Sequence, residues 1–548
     1  MSHRTKDAIT KIQAIIIALV IIIAAIIATY YMLFPPQPTT KEELVLRMSQ
    51  GDSIVTIDPA ICYDYPSTIT VEQAYDPLFM PSEEPPYDPI PWVVESYNVS
   101  ADGLIYTMKI RSGLKFHDGT EVTAEDVAFT MDRYLSIKKG HSGFWIGFIA
   151  VGNTTALDKY TVRFNLTKPS NAFIPSLTKF FVMNKKLLLQ NKAEGPFGDY
   201  GDLGQAWISQ GHDAGSGPYM IVSYSPDIGA ELVKFNDYWK GWKPNQVDRI
   251  KFMVITEEAT IKMLLMNKEL EMGHAFLSPT TYLTLGNIAY LNLSYGPSIN
   301  WEPICINTRR PPLDDVHVRR AIAYAINYTD LVNTVFPGAI VGSSLLAPGV
   351  FGHDPSIPKF EMNLTKAEEE LDQSSYTREQ LSQFTLECHW LSGQDADRMV
   401  AVALQSACAR IGINVEVVSV LWSQMLDRAT NPQTTPHFSI WEPWSRYPDP
   451  DYYVYSAFHS SQQGRWITQH WFFTDELDAL CELQRSTLNS TERQIALKQI
   501  QQIVRDNIPI IFVCYRPYYN IRQNYVQGWK YIPYHAWEYW IYRLTIVR

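Results

Sequence analysis

The most constraining feature of this chain lies near its start. Residues 12–34, IQAIIIALVIIIAAIIATYYMLF, form a run of 23 residues without a charge. About 20 apolar residues let a helix cross the hydrocarbon core of a bilayer, so the run predicts a transmembrane helix. Arg4, Lys6 and Lys11 precede it with one acid, Asp7, and no charge follows until Lys41. That bias predicts a cytoplasmic segment over 1–11 and the remainder outside. A cleaved secretory signal has a shorter apolar core and small residues at its cleavage site, whereas this run ends in YYMLFPP. It is read as a retained anchor, followed over 35–41 by a stiff proline-rich spacer. The expected location is the cell membrane, single-pass, with the bulk of the chain extracellular. The sequons at Asn98, Asn153, Asn165, Asn292, Asn363 and Asn489 are candidate glycosylation sites outside; a seventh, Asn327, sits in a helical pattern.

The chain has 548 residues, several times the usual domain of about 100–200, so several lobes are expected. Hydrophobic residues make up 46% and charged residues 19%, which excludes a disordered, solvating chain. Lys plus Arg is 46 against Asp plus Glu at 57, and this acidic balance of −11 argues against nucleic acid as a partner. The six cysteines, Cys62, Cys305, Cys388, Cys408, Cys481 and Cys514, form no CxxC and no Cys/His cluster. No zinc site, disulfide scaffold or cofactor is expected. The chain also lacks HExxH, a P-loop and a GxSxG elbow, so no motif marks it as an enzyme.

From residue 41 onward short strands and amphipathic helices alternate, which reads as α/β. Leu104, Tyr106, Met108 and Ile110 alternate with polar neighbours and predict a half-buried strand. Thr123-Ala124-Glu125-Asp126 reads as a capping box opening a helix with Val127, Met131, Tyr134 and Leu135 on its inner stripe. Asp314 and Asp315 open a second helix, lined by Val318, Ile322, Ala325 and Ile326. A third is predicted over 399–411, stopped by Gly412 and followed by a strand over 413–420. Residues 474–507 give two helices broken near Asn489, and IPIIFVCY after them is an apolar strand.

Six blocks together carry a resemblance. ADGLIYTMKIRSGLKFHDGTEVTAEDVAFTMDRYL (101–135), GSGPYMIVSYSP (215–226) with LVKFNDYWKGWKP (232–244), and INTRRPPLDDVHVRRAIAYAIN (306–327) occur in order. LQSACARIGINVEVV (404–418), IWEPWSRYPDPDYYVYSAFHSS (440–461) and ERQIALKQIQQIVRDNIPIIFVCY (492–515) follow. The series resembles the peptide/nickel-binding family, family 5, of ABC-transporter extracellular solute-binding proteins, which take dipeptides, oligopeptides or oligosaccharides. The resemblance implies a two-lobed, type II periplasmic-binding-protein-like α/β fold with an extra subdomain on the first lobe. Lobe one is placed at 42–300, with the subdomain at about 76–210, lobe two at 301–509, and a return to lobe one at 510–548. The chain would then cross between lobes near Asn300–Trp301 and near Ile508–Ile511. The implied function is capture of a peptide or oligosaccharide in an aromatic-lined cleft and delivery to a permease driven by cytoplasmic ATPases. A surface-anchored glycoside hydrolase and a receptor that senses without transport are the alternatives.

The expected ligand-binding segment is Trp441-Glu442-Pro443-Trp444-Ser445-Arg446-Tyr447-Pro448-Asp449-Pro450. Its prolines forbid regular helix, and Trp441, Trp444 and Tyr447 offer flat faces for stacking. In peptide-binding members of the family an aspartate of this loop, four residues before the closing proline, holds the α-amino group of the peptide. Counting back from Pro450 gives Arg446, a cation that would repel an ammonium. Glu442, Asp449 or Asp451 would have to substitute, or would pair with Arg446. An Arg446 facing the cleft would suit carboxylate, phosphate or sugar hydroxyl groups. Trp301, Trp390, Trp422 and Tyr75 complete the candidate set.

Overall fold

The computed structural model describes residue 16, residues 18–29, residue 32, residues 42–534 and residues 536–548. The chain divides into two units, Met1–Leu44 and Val45–Arg548. In the first, residues 18–29 are helical and exposed. Among the described residues no helix is long and apolar enough to cross a membrane. The 1–11 terminus and 35–41 spacer lie outside the described residues, as does much of the expected 12–34 span.

In the second unit the sequence patterns become three larger sheets. One runs in the order Val45–Gln50, Arg249–Val254, Gly229–Lys234, Tyr219–Ser225, with the first pair parallel and the others antiparallel. Another, Val94–Val99, Ile105–Ile110, Thr161–Asn165 and Thr154–Asp158, is antiparallel throughout and lies in the stretch expected for the extra subdomain. Tyr106, Met108 and Ile110 are buried along it, as their alternation requires. The adjoining helix Ala124–Ile137 starts where expected: Asp126 Oδ2 accepts from the Thr123 backbone N–H (2.9 Å) and hydroxyl (2.7 Å). Val127, Met131, Tyr134 and Leu135 are all buried.

The third sheet has six strands, in the order Ile340–Val341, Ile510–Gln523, Leu291–Ile306, Phe438–Ile440, Thr385–Leu391, Asn414–Val420. Thr385–Leu391 is parallel to both neighbours. Parallel strands need apolar cover, and the helices Val316–Ala325 and Asp395–Arg410 supply it through Val318, Ile322, Val400 and Leu404. Asp315 caps the first of these helices by accepting from the His317 N–H at 2.7 Å. Gly412, at φ +77°, ends the second in the left-handed conformation that a side chain would resist.

Two long strands tie the unit together. Leu291–Ile306 pairs antiparallel with Ile510–Gln523 in two stretches, Leu291–Pro297 against Pro517–Gln523 and Trp301–Cys305 against Ile510–Tyr515. Between them Pro297 faces Pro517 and the register shifts. Neither proline has an N–H to donate, so the ladder breaks there. On one side Leu291 and Ile521 pack with Ile261, Leu265, Tyr282 and Leu285. On the other Ile304, Ile306, Ile511 and Val513 join the core of the six-stranded sheet. The expected first crossing, Asn300–Trp301, lies in or beside this break. Around the expected second crossing, Ile508, Ile511, Val513 and Cys514 belong to the core of the six-stranded sheet. IPIIFVCY is an ordinary buried strand, and the chain leaves that core only where its apolar run ends.

The 441–450 loop is fixed at both ends. Asp451, fully buried, accepts from Arg485 Nε (2.9 Å) and Nη2 (2.6 Å) and from Gln484 (2.6 Å). Asp449 is taken by Arg493. Asn300, beside the strand break, accepts from the Tyr453 hydroxyl (2.7 Å) and the Ser445 N–H (3.3 Å). Removing one partner of a buried ion pair strands the other charge and costs about 3–5 kcal/mol. Arg485→Ala is therefore expected to lower stability by about that amount in urea unfolding, whereas breaking an exposed pair such as Lys109–Glu95 should leave the unfolding midpoint nearly unchanged.

Candidate functional site

A cavity of about 140 Å³ opens at the strand break. A water needs roughly 10–15 Å³ on this measure, so there is room for on the order of ten. One wall, beside the core that contains Leu285 and Leu291, presents Glu258, Phe276 and Tyr519; the other presents Phe336, Asp395, Met399, Glu442 and Trp444, and Glu538 also lines the cavity. Arg516 and Pro517 line it where the spanning strand passes from one core to the other. Trp444 is half-buried, with its ring 5.6 Å from Tyr65 and 5.8 Å from Phe276, so three aromatic rings bridge the two walls.

Arg516 is the electrostatic centre. Its Nη1 lies 2.6 Å from Glu442, 3.1 Å from Glu302 and 3.6 Å from Asp397. Glu302 and Asp397 are buried, and neither Glu302 oxygen nor Asp397 Oδ1 has a hydrogen bond, so these contacts are close charges without aligned donors. One guanidinium facing three carboxylates leaves negative charge in excess. Burial answers by favouring the neutral acids: it raises Glu302 well above the carboxylate range and lifts Asp397, with Arg516 opposing both. Glu442 is pushed up to about 7 by burial, with Arg516 pulling down and Asp397 pushing further up. Glu538, whose carboxylate accepts from the Tyr65 hydroxyl, is likewise raised to about 7 by burial. Burial works against the charge of Arg516, but the three carboxylates outweigh it and keep it protonated.

A second cavity, of about 520 Å³, lies beyond Trp444 along the same loop. Tyr63, His141 and Phe144 face Arg446, Tyr447, Arg465 and Arg485 across it, and its lining contains no acid. Arg446 donates to the Tyr63 carbonyl at 2.5 Å. Arg485 is committed to Asp451, and burial pushes His141 well below its usual value, so that it is neutral.

The candidate residues separate cleanly. Trp444 lines the first cavity, Arg446 and Tyr447 the second. Trp301 and Trp441 are fully buried with rings 6.0 Å apart, part of an aromatic stack behind the break that continues from Trp441 to Trp466 (5.1 Å) and on to Trp422 (5.7 Å). Trp422 is 36% exposed at its outer end. Trp390 packs on the second core. Tyr75 is buried and its hydroxyl accepts from the Ala214 N–H at 3.0 Å. Of the three acids considered as partners for Arg446, Asp449 and Asp451 are held by Arg493 and Arg485, and Glu442 by Arg516. Sequence reasoning missed Arg516, Glu302, Asp397, Glu258, Phe276 and Glu538. A signal existed for Arg516: a charge followed by proline where the apolar run IPIIFVCY ends. The sequon side chains at Asn363 and Asn489 cap helices, and those at Asn153 and Asn165 donate to each other's backbone carbonyls.

Residues 88–465 match the family model for bacterial extracellular solute-binding proteins, family 5, and the chain belongs to that family. It is a solute-binding protein of the ABC-importer type and not an enzyme. The dipeptide-binding protein of Escherichia coli K12 is 26% identical over 468 residues, covering 81% of this chain and 84% of that one. Two solved structures share the fold: the periplasmic binding protein DppA of Helicobacter pylori with the peptide STSA, and the oligopeptide-binding protein AppA of Bacillus subtilis with a nonapeptide. Their TM-scores are both 0.76 at 22% identity, covering 92% and 93% of this chain and 98% and 100% of theirs. This likeness establishes the two-lobed α/β architecture. The expected single-pass membrane location is corrected: similar proteins are periplasmic or extracellular by description, and the described residues include no membrane-crossing helix.

The raised acids carry a pH signature. A carboxyl whose folded pKa exceeds its unfolded value keeps its proton in the native state at pH values where the unfolded chain has lost it. Its favourable contribution is present at low pH and is lost as pH rises through the folded value, by up to roughly 1.4 kcal/mol per pH unit per group. With Glu442 and Glu538 at about 7, the ligand-free protein is expected to lose stability between about pH 5 and pH 7. Thermal melts of the wild type and of Glu442→Gln check this; the variant should show a shallower slope across that window.

Proposed function

We propose that the chain captures short peptides between its two lobes for delivery to an ABC permease. The carrying observation is the cavity at the break in the spanning strands, walled from both cores and rich in acids. A ligand there touches both lobes, and only a ligand with such differential contacts shifts an equilibrium between open and closed forms. The descriptions of the similar proteins as dipeptide- or oligopeptide-binding support a peptide. So does the charge of the wall: Glu258, Asp395, Glu442 and Glu538 against Arg516 attract an ammonium, a group that a neutral oligosaccharide lacks. Trp444 supplies an aromatic face for a side chain or peptide plane.

Calorimetric titration of the full chain tests the reading. Tripeptides are expected to bind saturably at one site without being cleaved, and maltotriose to show no heat of binding. Trp444→Ala should weaken peptide binding about tenfold, the equivalent of about 1.4 kcal/mol. Binding of maltotriose in preference to peptides, or hydrolysis of either, would overturn the reading.

A further inference from the structure

The carboxyls gathered at the first cavity outnumber the cations that reach them. Glu442 is faced by Arg516 and the Cys514 thiol on one spanning strand, by Glu302 on the other, by Asp397 from the helix Asp395–Arg410, and by Tyr453. Glu538 is acted on by Tyr65 and Glu72 from the helix Tyr65–Ala74, by Glu442, and by the cations Lys179 and Arg543. The hydroxyls of Tyr282, Tyr531 and Tyr539 also face it. The other lining acids are satisfied locally. Glu258 accepts from the Ser278 hydroxyl (2.6 Å) and N–H (2.9 Å), and Asp395 is paired with Arg398 at 2.8 Å.

Lys179 is paired with Glu72. Among the described residues, Arg516 and Arg543 then stand as two cations against four carboxyls, Glu302, Asp397, Glu442 and Glu538. A net charge in a desolvated site is unfavourable, and without another cation it is removed when some of the acids hold protons. Neither Glu302 oxygen has a hydrogen bond, so aligned donors do not stand in for those protons. Glu442 and Glu538, both raised to about 7 by burial, are the two of the four that line the cavity.

We infer, on the peptide reading above, that capture exchanges one cation for another: the ammonium that enters the first cavity displaces a proton held by Glu442 or Glu538, and that proton passes to the solvent. The exchange leaves the charge of the site unchanged, so the ligand enters without adding net charge to a poorly hydrated space. It also makes acid a competitor. Below about pH 7 both carboxyls hold protons in the ligand-free protein, and each bound peptide has to expel one. By linkage, affinity then falls about tenfold per pH unit for each proton expelled. A peptide's own groups titrate elsewhere, the amine at about 7.7–8.0 and the carboxyl at about 3.3–3.7, so the trend between about pH 5.5 and 6.5 belongs to the protein.

Calorimetric titration of the full chain with trialanine at about pH 6.5 tests this, run in MES and in imidazole buffer, whose heats of ionisation differ. The buffer takes up any released proton, so the difference between the two observed heats counts protons per peptide. About one proton released is expected, with affinity about tenfold weaker one pH unit lower. N-acetyltrialanine, which brings no ammonium, should release none. In Glu442→Gln and Glu538→Gln the count should fall and the pH dependence flatten. Equal heats in the two buffers, or proton uptake, overturn the exchange while leaving peptide binding intact. So does an undiminished count in both variants. Where a variant does not fold or bind, the wild-type count decides. No saturable heat with trialanine at either pH overturns the peptide reading itself.

Discussion

Arg516 sits where the structure changes hands. The strand that carries it belongs to one hydrophobic core up to Cys514 and to the other by Ile521, and pairing with its partner fails at the facing prolines Pro297 and Pro517. The ladder hydrogen bonds are interrupted at this point. The guanidinium placed there draws in Glu442 from the loop, Glu302 from the partner strand and Asp397 from a helix of the second core. One cation thus gathers carboxylates from three elements beside the break in the spanning strands.

Such a cluster is not a source of stability. Desolvating three acids and one base costs more than imperfectly aligned contacts return, which is why burial shifts the acids toward their neutral forms. It forms a polar centre beside the strand break, against the adjoining cavity. On the proposed function, an arriving ammonium adds a second cation to a site with excess carboxylate, and that gain is available only when both walls are near. To move the lobes from mostly open to mostly closed, the ligand must favour the closed form by about 10⁴-fold, or about 5.5 kcal/mol. A few desolvated charge contacts and one stacked ring are of that order.

Local pattern made much of the scaffold legible. The alternation over 104–111, the Thr123–Asp126 capping box, the Asp315 cap and the Gly412 stop each depend on neighbours in sequence, and each forms in the structure. The site was less legible because its chemistry is assembled from afar. Glu302, Asp397, Glu442 and Arg516 are spread over more than 200 residues, and nothing local marks them as neighbours. The aromatic signal was real but ambiguous: Trp444 faces a cavity, whereas Trp301 and Trp441, equally suggestive in sequence, pack behind the break. Asp449 and Asp451 were drawn off by Arg485 and Arg493 from helices thirty or more residues away, which spacing within the loop could not reveal.

The central claim is that a solute held at the Arg516 junction draws two bodies together without covalent change. Small-angle X-ray scattering of the full chain, with and without saturating tripeptide, tests it most directly. The account predicts a smaller radius of gyration with peptide present and recovery of that peptide intact. Identical scattering curves at proven saturation would contradict it.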